Sequence, residues 1–499
     1  YWKTKAFQVV SFTQKYIFKI VSISTMKYHI VQLGCQMNIS DGERVQKVLE
    51  DMGYLHTDNP ESANLIGVIA CSVRQKGIDK VYNMVNIWNK WKNKRNLITF
   101  VSGCVLPSDK EKFLKLFDMV FTMSQLPELP EMINHYGIVT PAGLMGNENM
   151  QIEQEFTDNP MQLGGFRLNE TQISSSLPLA EKKPEDIKEF WNIEPKYGSN
   201  IEAYIPIQNG CDKFCTFCAV PYTRGREVSR PSEEIMNEVR TLVEKGTKSI
   251  TILGQNVNSY GYDKKGSEIT FTQLLEKIGE YGNQSNKEFW VYFTSPHPRD
   301  MSDDVIETVA KYKCLAKQIH LPVQSGDDKL LIKMNRNHSM LKYREIVSTI
   351  RRLIPEATLF TDIIVGFTGE TEKEFENTMK IMEEFKYNMA YIAQYSPRPG
   401  ATSSRWDDDV PKDIKKERFH RLTKELTKYS QMHNNDVIGK TLRVLVRGKD
   451  RKEGYLSALT EGRIVTRFAS KDITLIGDFV DIKITSAASL SVEGVLLKN

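Results

Sequence analysis

Six short apolar segments alternate with helical stretches after Glu202, and a polar loop follows each of the six. The segments are rich in β-branched and aromatic residues, which is typical of parallel strands buried on both faces. They cover residues 203–207, 249–253, 289–294, 318–321, 359–365 and 390–395. Six consecutive strand–helix units predict a barrel, or part of one, whose active site lies in the loops that follow the strands.

Three cysteines stand in the loop after the first of these strands, in the spacing C-x3-C-x2-C: Cys211, Cys215 and Cys218. Three thiolates on a tight loop suit a metal ion or an iron–sulfur centre. No fourth Cys or His stands nearby in the sequence to complete a structural zinc site, so we expect an open coordination position. Open positions are typical of reactive centres, although a zinc knuckle is the alternative.

A second strand–helix series begins at Met26 and predicts an α/β domain with a parallel sheet over residues 26–149. The predicted strands cover residues 28–33, 65–70 and 97–102. Ser40, with Glu43 three residues later, forms a capping-box pattern that predicts the start of the first helix.

Each of these three strands is followed within two residues by a cysteine: Cys35, Cys71 and Cys104. The carboxyl ends of parallel strands lie along one edge of a sheet, so cysteines far apart in sequence can meet there. The placement favours a second metal site, and three buried structural cysteines are the alternative.

The remaining segments complete the domain organisation. Residues 150–200 lose periodicity and predict a linker, and a Lys- and Glu-rich helix at 412–433 ends the central domain at 201–435. Residues 436–499 read as short alternating strands of a small antiparallel β-barrel. Residues 1–25 are predicted to be an extension, with the functional start at Met26.

Composition excludes several classes of protein. The 67 Lys and Arg residues nearly balance the 63 Asp and Glu residues, so any basic surface must be local. No apolar run approaches the roughly 20 residues that a membrane-spanning helix needs, so we expect no membrane partner. Seven cysteines in 499 residues are too few for a disulfide scaffold, which favours a reducing compartment, the cytoplasm.

The cysteine loop resembles a known sequence pattern. Residues 210–218, GCDKFCTFC, followed by PYTRG at 221–225, resemble the cluster loop of the radical S-adenosylmethionine methylthiotransferases. Four further segments resemble motifs of that family: CSVR at 71–74, LGQNVNSY at 253–260, HLPVQSG at 320–326 and YSPRPG at 395–400. The resemblance implies a Rossmann- or flavodoxin-like first domain, a partial (β/α)6 TIM-like radical barrel and a terminal barrel of the TRAM type.

The resemblance also implies the cofactors. Cys211, Cys215 and Cys218 would hold a 4Fe-4S cluster whose remaining iron binds S-adenosylmethionine. The other strand-end cysteines would hold a second 4Fe-4S cluster that delivers sulfur: Cys35, Cys71 and Cys104. One electron from the first cluster would cleave S-adenosylmethionine, and the resulting deoxyadenosyl radical would remove a hydrogen from an unreactive carbon. Sulfur would then fill that carbon, and a second S-adenosylmethionine would methylate it.

Further residues receive roles from the same resemblance. Phe217 would shield the cluster and adjoin the adenine of the cofactor. Four polar residues in the loops after the strands would contact the cofactor: Gln255, Asn256, Gln324 and Ser325. Cys314 matches no ligand position and is expected to be structural.

Members of this family modify either an adenosine beside the tRNA anticodon or an aspartate of a ribosomal protein. Phosphates must be met by basic side chains, and this chain carries several in suitable places. The candidates for RNA binding are Arg224, Arg226, Arg443, Arg447, Lys449 and Lys452. We therefore expect a methylthio group on C2 of N6-isopentenyladenosine in the anticodon stem-loop.

Other outcomes stay open from sequence. The substrate could instead be N6-threonylcarbamoyladenosine or the ribosomal protein, and the non-enzymatic alternative is a zinc-stabilised RNA-binding protein. An electron donor such as flavodoxin or ferredoxin is implied, and we expect a monomer.

Overall fold

The computed structural model describes residues 26–71, 75–135 and 184–497. The chain divides into two compact units, Tyr1–Gly198 and Ser199–Asn499. The predicted extension at 1–25 and most of the predicted linker lie outside the described residues.

The first unit is built on a sheet of five parallel strands, as the strand–helix alternation predicts. Its elements are β1 (Lys27–Gln32), α1 (Gln36–Asp51), β2 (Leu55–His56), β3 (Leu65–Cys71), α2 (Gln75–Lys92), β4 (Ile98–Cys104), α3 (Pro107–Phe113), β5 (Met119–Val120), α4 (Leu129–Asn134) and α5 (Pro184–Asn192). The strand order β2-β1-β3-β4-β5 is that of a flavodoxin-like sheet. Every residue of β3 and β4 is buried, and helix α2 packs on them through Val81, Val85 and Trp88.

The strand order positions the candidate ligands. The order in which strands are added to the sheet reverses between β1 and β3, because β2 lies on one side of β1 and the later strands lie on the other. Ligands of open α/β sheets bind outside the strand ends at such a switch point. Cys35 follows β1 and Cys71 ends β3, so these cysteines flank the switch point. Cys71 lies opposite Cys104 in the register of β3 and β4.

The start of α1 differs from the prediction. The helix begins at Gln36, with Cys35 as its N-cap, rather than at Ser40. Ser40 lies inside the helix, where its hydroxyl accepts a hydrogen bond from Arg44 Nη1 at 2.9 Å. The capping-box spacing was misleading, because the turn at Gly34, whose φ is +125°, already starts the helix one turn earlier.

Helix α5 also departs from the prediction, since it falls within the stretch assigned to a linker. Its residues Ile187, Phe190 and Trp191 are buried against the first unit. The guanidinium of Arg44 lies 5.3 Å from the centre of the Phe190 ring. Residues 187–191 are therefore part of the packed domain. Their apolar face is short and lies among polar residues, so the sequence pattern alone does not indicate a buried helix.

The second unit begins with the predicted barrel. Its strands are β6 (Glu202–Pro206), β7 (Gln208–Asn209), β8 (Val228–Ser229), β9 (Ser249–Leu253), β10 (Trp290–Phe293), β11 (Gln318–His320), β12 (Thr358–Val365) and β13 (Met389–Gln394). Its helices are α6 (Val220–Arg224), α7 (Ser232–Glu244), α8 (Phe271–Gln284), α9 (Asp303–Lys311), α10 (Asp328–Lys333), α11 (Met340–Leu353), α12 (Glu372–Phe385) and α13 (Lys412–Asn435).

Six of these strands run parallel, and they lie side by side in the order in which they occur along the chain. β6, β9 and β10 form one run, and β11, β12 and β13 form another. A parallel bridge between Val291 and Leu315 links β10 to the segment that leads into β11. The partial (β/α)6 barrel is thus confirmed.

The C-terminal segment is a closed five-stranded barrel. Its strands are β14 (Thr441–Lys449), β15 (Tyr455–Thr460), β16 (Val465–Ala469), β17 (Phe479–Ala488) and β18 (Ser491–Leu496), in the order β14-β15-β16-β18-β17. All its pairings are antiparallel except β16 with β18, which are parallel and close the barrel. The parallel pair differs from the antiparallel barrel that the sequence predicts.

The terminal barrel packs directly on the central one. Phe479 meets Trp290 edge to face with ring centres 4.6 Å apart, and Leu445 joins Trp290 and Tyr292 in a small buried cluster. Across the described ranges, helices with the length and apolarity needed to cross a bilayer are absent.

Candidate active site

The loop that carries Cys211, Cys215 and Cys218 is closed at its base. Strands β7 and β8 pair antiparallel on either side of it, and Cys211 N donates to Gly225 O at 3.2 Å. Gly210 has φ +81°, and a Cβ at this position would lie 2.0 Å from Arg226 O. Only glycine fits there, so the turn into the first cysteine is fixed by sterics.

The outer part of the loop is held by the segment that follows α10. Thr216 N donates to Met334 O at 3.0 Å, and Thr216 Oγ1 donates to Lys333 O at 3.0 Å. The side chain of Asn335 donates to the carbonyl oxygens of Lys213 and Phe214 at 3.2 and 3.0 Å. The loop is therefore pinned at both ends, which brings the three cysteines to the carboxyl-end face of the barrel.

The three thiols have low access to water. Cys211 and Cys215 are buried and Cys218 is partly buried. Burial, together with the neighbouring thiols, raises the pKa of both Cys211 and Cys218 to about 12. Such thiols ionise readily only when positive charge is placed beside them, and a bound metal centre would supply it.

Three thiols on one short loop form a donor set that suits an iron–sulfur cluster. Within the described ranges, no three His, Cys, Asp or Glu side chains converge as ligands of one metal ion. Three sulfur donors with no fourth also leave one iron for a small molecule, as the sequence predicts.

A buried ion pair ties the loop to two neighbouring strand ends. Lys213 Nζ lies 2.5 Å from Asp300 Oδ2, and both side chains are more than 90% buried. Asn256 Nδ2 donates to the same carboxylate oxygen at 3.0 Å. Burial opposes ionisation of Asp300, but the hydrogen bonds from Lys213 and Asn256 and the charge of Lys213 lower its pKa below the ordinary value.

A buried carboxyl group lies at the exit of the loop. Glu227 Oε2 accepts a hydrogen bond from Ser259 Oγ at 2.6 Å. Burial raises the pKa of Glu227 to about 7, although this hydrogen bond and Lys213 oppose the rise. Glu227 was not among the predicted residues, and nothing in its spacing distinguishes it from an exposed glutamate.

Two of the predicted cofactor contacts have free acceptor atoms. Gln255 Oε1 and Asn256 Oδ1 are buried and have no hydrogen-bond partner in the part of the chain that the structure describes. Buried acceptors without partners are costly, which is expected where a ligand supplies the donors.

The other predicted contacts behave differently. Phe217 packs edge to face on Phe367, with ring centres 6.4 Å apart. Gln324 is buried with φ +70°, a conformation that non-glycine residues rarely adopt. The hydroxyl of Ser325 accepts from Asp327 N at 3.2 Å and contacts Thr378 Oγ1 at 3.4 Å, so it is engaged within the fold.

The second set of cysteines meets around one buried asparagine, Asn38. Cys35 Sγ lies 3.5 Å and Cys104 Sγ 3.9 Å from Asn38 Oδ1. The amide nitrogen of Asn38 donates to Leu33 O at 2.9 Å and Ala70 O at 2.7 Å, which joins the ends of β1 and β3. The structure thus brings these two predicted ligands together.

Cys71, the third member of this set, lies on the same strand edge. A Cβ on Gly34 would lie 2.6 Å from Cys71 Cβ, so the turn before Cys35 passes directly against Cys71. The motif residues 72–74 that follow it lie outside the described residues. Asn38 itself was missed, although its position three residues after Cys35 points its side chain back toward the start of α1.

Comparisons with known proteins agree with this architecture. The radical SAM superfamily matches residues 205–382, the uncharacterized protein family UPF0004 matches 27–123, and the TRAM domain matches 437–497. A tRNA-2-methylthio-N(6)-dimethylallyladenosine synthase from Clostridium botulinum is 37% identical over 477 residues, which cover 94% of this chain and 96% of that protein. The synthase of that name from Yersinia enterocolitica is 34% identical over 481 residues, covering 95% and 93%.

The chain belongs to the tRNA-2-methylthio-N(6)-dimethylallyladenosine synthase family. It is therefore a radical SAM methylthiotransferase, and its central domain uses a 4Fe-4S cluster and S-adenosylmethionine. The solved structure of TsrM, a radical S-adenosylmethionine methyltransferase from Kitasatospora setae, superposes with a TM-score of 0.51 at 12% identity. It covers 76% of this chain and 75% of that one, and it supports the fold alone.

The predicted RNA-binding arginines of this methylthiotransferase divide into two groups. Arg226 is exposed beside the cluster loop, with Nε 3.0 Å from Asp212 Oδ1 and its guanidinium 5.3 Å from the Phe214 ring centre. Arg224 is buried instead, and its Nη1 donates to Asn209 Oδ1 at 3.1 Å. Arg224 is therefore less accessible to a phosphate than Arg226, and its assignment as an RNA contact stays a prediction.

Two arginines of the terminal barrel face the central domain. Arg443 donates from Nε and Nη2 to Glu288 at 3.1 and 2.6 Å, and Arg447 pairs with Glu202. These pairs join the terminal barrel to the central barrel, although the side chain of Arg443 is still 39% exposed, and the RNA-binding role of both arginines stays a prediction. Lys449 and Lys452 are exposed, and Lys452 Nζ lies 3.4 Å from Glu493.

Cys314 is buried, as expected for a structural residue. Its Sγ donates to Ile278 O of α8 at 3.8 Å. Burial raises the pKa of this thiol to about 11.

Proposed function

We propose that this methylthiotransferase adds a methylthio group to C2 of N6-isopentenyladenosine at the 3′ side of the tRNA anticodon. The alignment with synthases of that name over 94–95% of the chain carries the proposal, because it spans both cysteine-bearing domains and the terminal barrel. An unpaired loop base can be turned out of its stack at small cost, which suits a site that must reach the edge of a purine.

We infer that Cys211, Cys215 and Cys218 hold the cluster of the central domain. When bound, this cluster supplies the electron that cleaves S-adenosylmethionine, and the C2 hydrogen leaves with 5′-deoxyadenosine. The chain's own contribution is to fix the loop through the Lys213–Asp300 pair and to exclude water through Phe217. In this proposal, Gln255 Oε1 and Asn256 Oδ1 accept hydrogen bonds from the amine or hydroxyl groups of S-adenosylmethionine. Gln324 is a further part of the proposed cofactor-binding surface.

A second 4Fe-4S cluster is proposed at Cys35, Cys71 and Cys104, as the source of sulfur. The meeting of Cys35 and Cys104 around Asn38, with Cys71 on the same strand edge, supports it. S-adenosylmethionine used a second time supplies the methyl group.

The proposed RNA surface consists of Arg226 beside the cluster loop and Lys449 and Lys452 on the terminal barrel. All three are exposed, so they can exchange their present contacts for phosphates. We further propose a monomer in the cytoplasm, reduced by a flavodoxin or ferredoxin.

Mass spectrometry of tRNA nucleosides tests the substrate. Cells that lack the protein should lose 2-methylthio-N6-isopentenyladenosine and accumulate the unthiolated nucleoside, and the restored gene should reverse both changes. Loss of a methylthio derivative of N6-threonylcarbamoyladenosine, or of a modified ribosomal aspartate with unchanged tRNA, would contradict the assignment.

The two cysteine sets should be separable. Cys215→Ala should abolish reductive cleavage of S-adenosylmethionine, whereas Cys71→Ala should still release 5′-deoxyadenosine but form no methylthio product. Iron content, 5′-deoxyadenosine and modified nucleoside are measured in both variants. Full methylthiolation by the Cys71→Ala variant would remove the second cluster from the proposal, and a colourless, zinc-containing parent protein would remove both.

A further inference from the structure

Arg336 is a buried cation without a carboxylate partner. Its side chain is about 94% buried, and it forms no ion pair within the described ranges. Two other buried arginines of the second unit are paired with glutamates: Arg230 with Glu234 and Glu238, and Arg418 with Glu370. A buried guanidinium without an anion is strongly unfavourable, so the surroundings of Arg336 must supply negative charge in another form.

The partner that the structure offers is sulfur. Arg336 Nη1 donates to Cys215 Sγ at 3.5 Å, and Nη2 donates to Pro322 O at 2.9 Å. Arg336 Nε is buried without a partner. Two nitrogens of Arg336 therefore have partners, and one of these partners is Cys215, a proposed cluster ligand.

The position of Arg336 is set by its neighbours along the chain. Asn335 and Asn337 on either side adopt left-handed φ values of +55° and +52°, which asparagine tolerates better than most residues. Asn335 also binds the carbonyl oxygens of Lys213 and Phe214 within the cluster loop. Arg336 and Cys215 are thus held on two segments that are hydrogen-bonded to each other.

Two histidines and a lysine also lie near this contact. His297 and His338 lie with ring centres 5.8 Å apart, and burial together with the charge of Arg336 lowers the pKa of both, that of His338 to about 4. Lys213 is neutralised by Asp300. Asp328 and Asp362 act on neighbouring groups, but within the described ranges neither forms an ion pair with Arg336, whose guanidinium contacts Cys215 directly.

We propose that Arg336 raises the reduction potential of the cluster held by Cys211, Cys215 and Cys218. Its N–H group and its positive charge stabilise the thiolate side of the cluster more after an electron has been added than before. Arg336 is thus a positioning residue that acts through Cys215. The inference rests on the proposed ligand set and adds the regulation of electron entry.

The test is a redox titration of three reconstituted full-length variants, followed by electron paramagnetic resonance. The signal that changes when S-adenosylmethionine is added identifies the cluster concerned. Arg336→Gln should make reduction at least tenfold less favourable, which is a shift of about 59 mV to lower potential for one electron. Arg336→Lys should shift less, because it keeps the charge, and the equally buried control Arg230→Gln should not shift.

The outcomes decide separately on the two proposals. The inference is overturned if the reduction equilibrium of Arg336→Gln lies within threefold of that of the parent protein. It is also overturned if Arg230→Gln shifts the reduction potential by the same amount as Arg336→Gln. If Arg336→Gln takes up no iron, Arg336→Lys decides: full iron with a lower potential supports the inference, and full iron with an unchanged potential overturns it. Loss of iron from both Arg336 variants but not from the control also overturns it, since Arg336 would then retain the cluster rather than tune it. A parent protein without an S-adenosylmethionine-sensitive cluster refutes the proposed function instead.

Discussion

The ion pair between Lys213 and Asp300 should govern how firmly the cluster loop is closed before any iron is bound. Asp300→Asn keeps the shape of the side chain but leaves the Lys213 ammonium buried without a counter-charge. Breaking a buried pair in this way costs about 3–5 kcal/mol. The asparagine oxygen can still accept a hydrogen bond, so we expect the lower end, about 3 kcal/mol, or roughly a hundredfold in the opening equilibrium of the loop.

Hydrogen exchange of the metal-free protein measures this opening. The amides of Cys211, Thr216 and Cys218 are hydrogen-bonded within or at the edge of the loop, so they report its closure. Their exchange should accelerate about a hundredfold in Asp300→Asn. The control is Glu384→Gln, which removes the exposed pair with Arg344 and should cost at most about 1 kcal/mol.

The pH dependence provides a second check of the same pair. The pKa of Asp300 is lowered in the folded protein. The ionised carboxylate therefore stabilises the closed loop at pH values above the unfolded pKa of about 3.9, and this stabilisation is lost as pH falls through the folded pKa. After correction for intrinsic exchange, the difference between parent and variant should be constant from about pH 8 to 5 and should shrink below pH 4. Equal protection in both proteins at pH 7, or a difference that persists unchanged at pH 3, would refute the reasoning.

Three further outcomes are expected. Asn38→Ala should weaken iron retention in the first unit by about 10- to 100-fold and spare the cluster of the central domain, as iron and sulfide content per chain will show. Replacing Lys449 and Lys452 by Gln should weaken the salt dependence of tRNA binding. The slope of log K against log salt concentration should fall by about 1 for each phosphate that the protein no longer neutralises, and an unchanged slope would exclude both lysines from the RNA surface. Arg447→Gln should instead leave that slope unchanged and speed amide exchange along β14, because it leaves Glu202 unpaired; a lower slope would restore it as an RNA contact.

Local sequence patterns were sufficient for much of the architecture. Strand–helix alternation, with its different hydrophobic periods, marks both α/β domains, because those periods depend on neighbouring residues in the chain. The positions of Cys35, Cys71 and Cys104 after strands have the same local origin, as does the spacing of Cys211, Cys215 and Cys218. Parallel strand ends then lie at one edge by topology, without knowledge of any side-chain contact.

Sequence patterns did not reveal contacts that join distant segments. Helix α5 was assigned to a linker because its short apolar face is recognisable only once it packs on the first unit. Arg443 and Arg447 read as a basic surface, yet they pair with Glu288 and Glu202, which lie 155 and 245 residues away along the chain. Charge along a strand does not reveal which side of a closed barrel meets another domain.

The sequence by itself determined which residues are the candidate ligands, because ligand type and placement after a strand are local properties. Only the tertiary structure decided what surrounds them. Arg336 reaches Cys215 across 121 residues, and Asn38 joins the ends of two strands, because folding closed long loops and placed these side chains in contact. Such contacts depend on packing between segments, and no spacing along the chain encodes them.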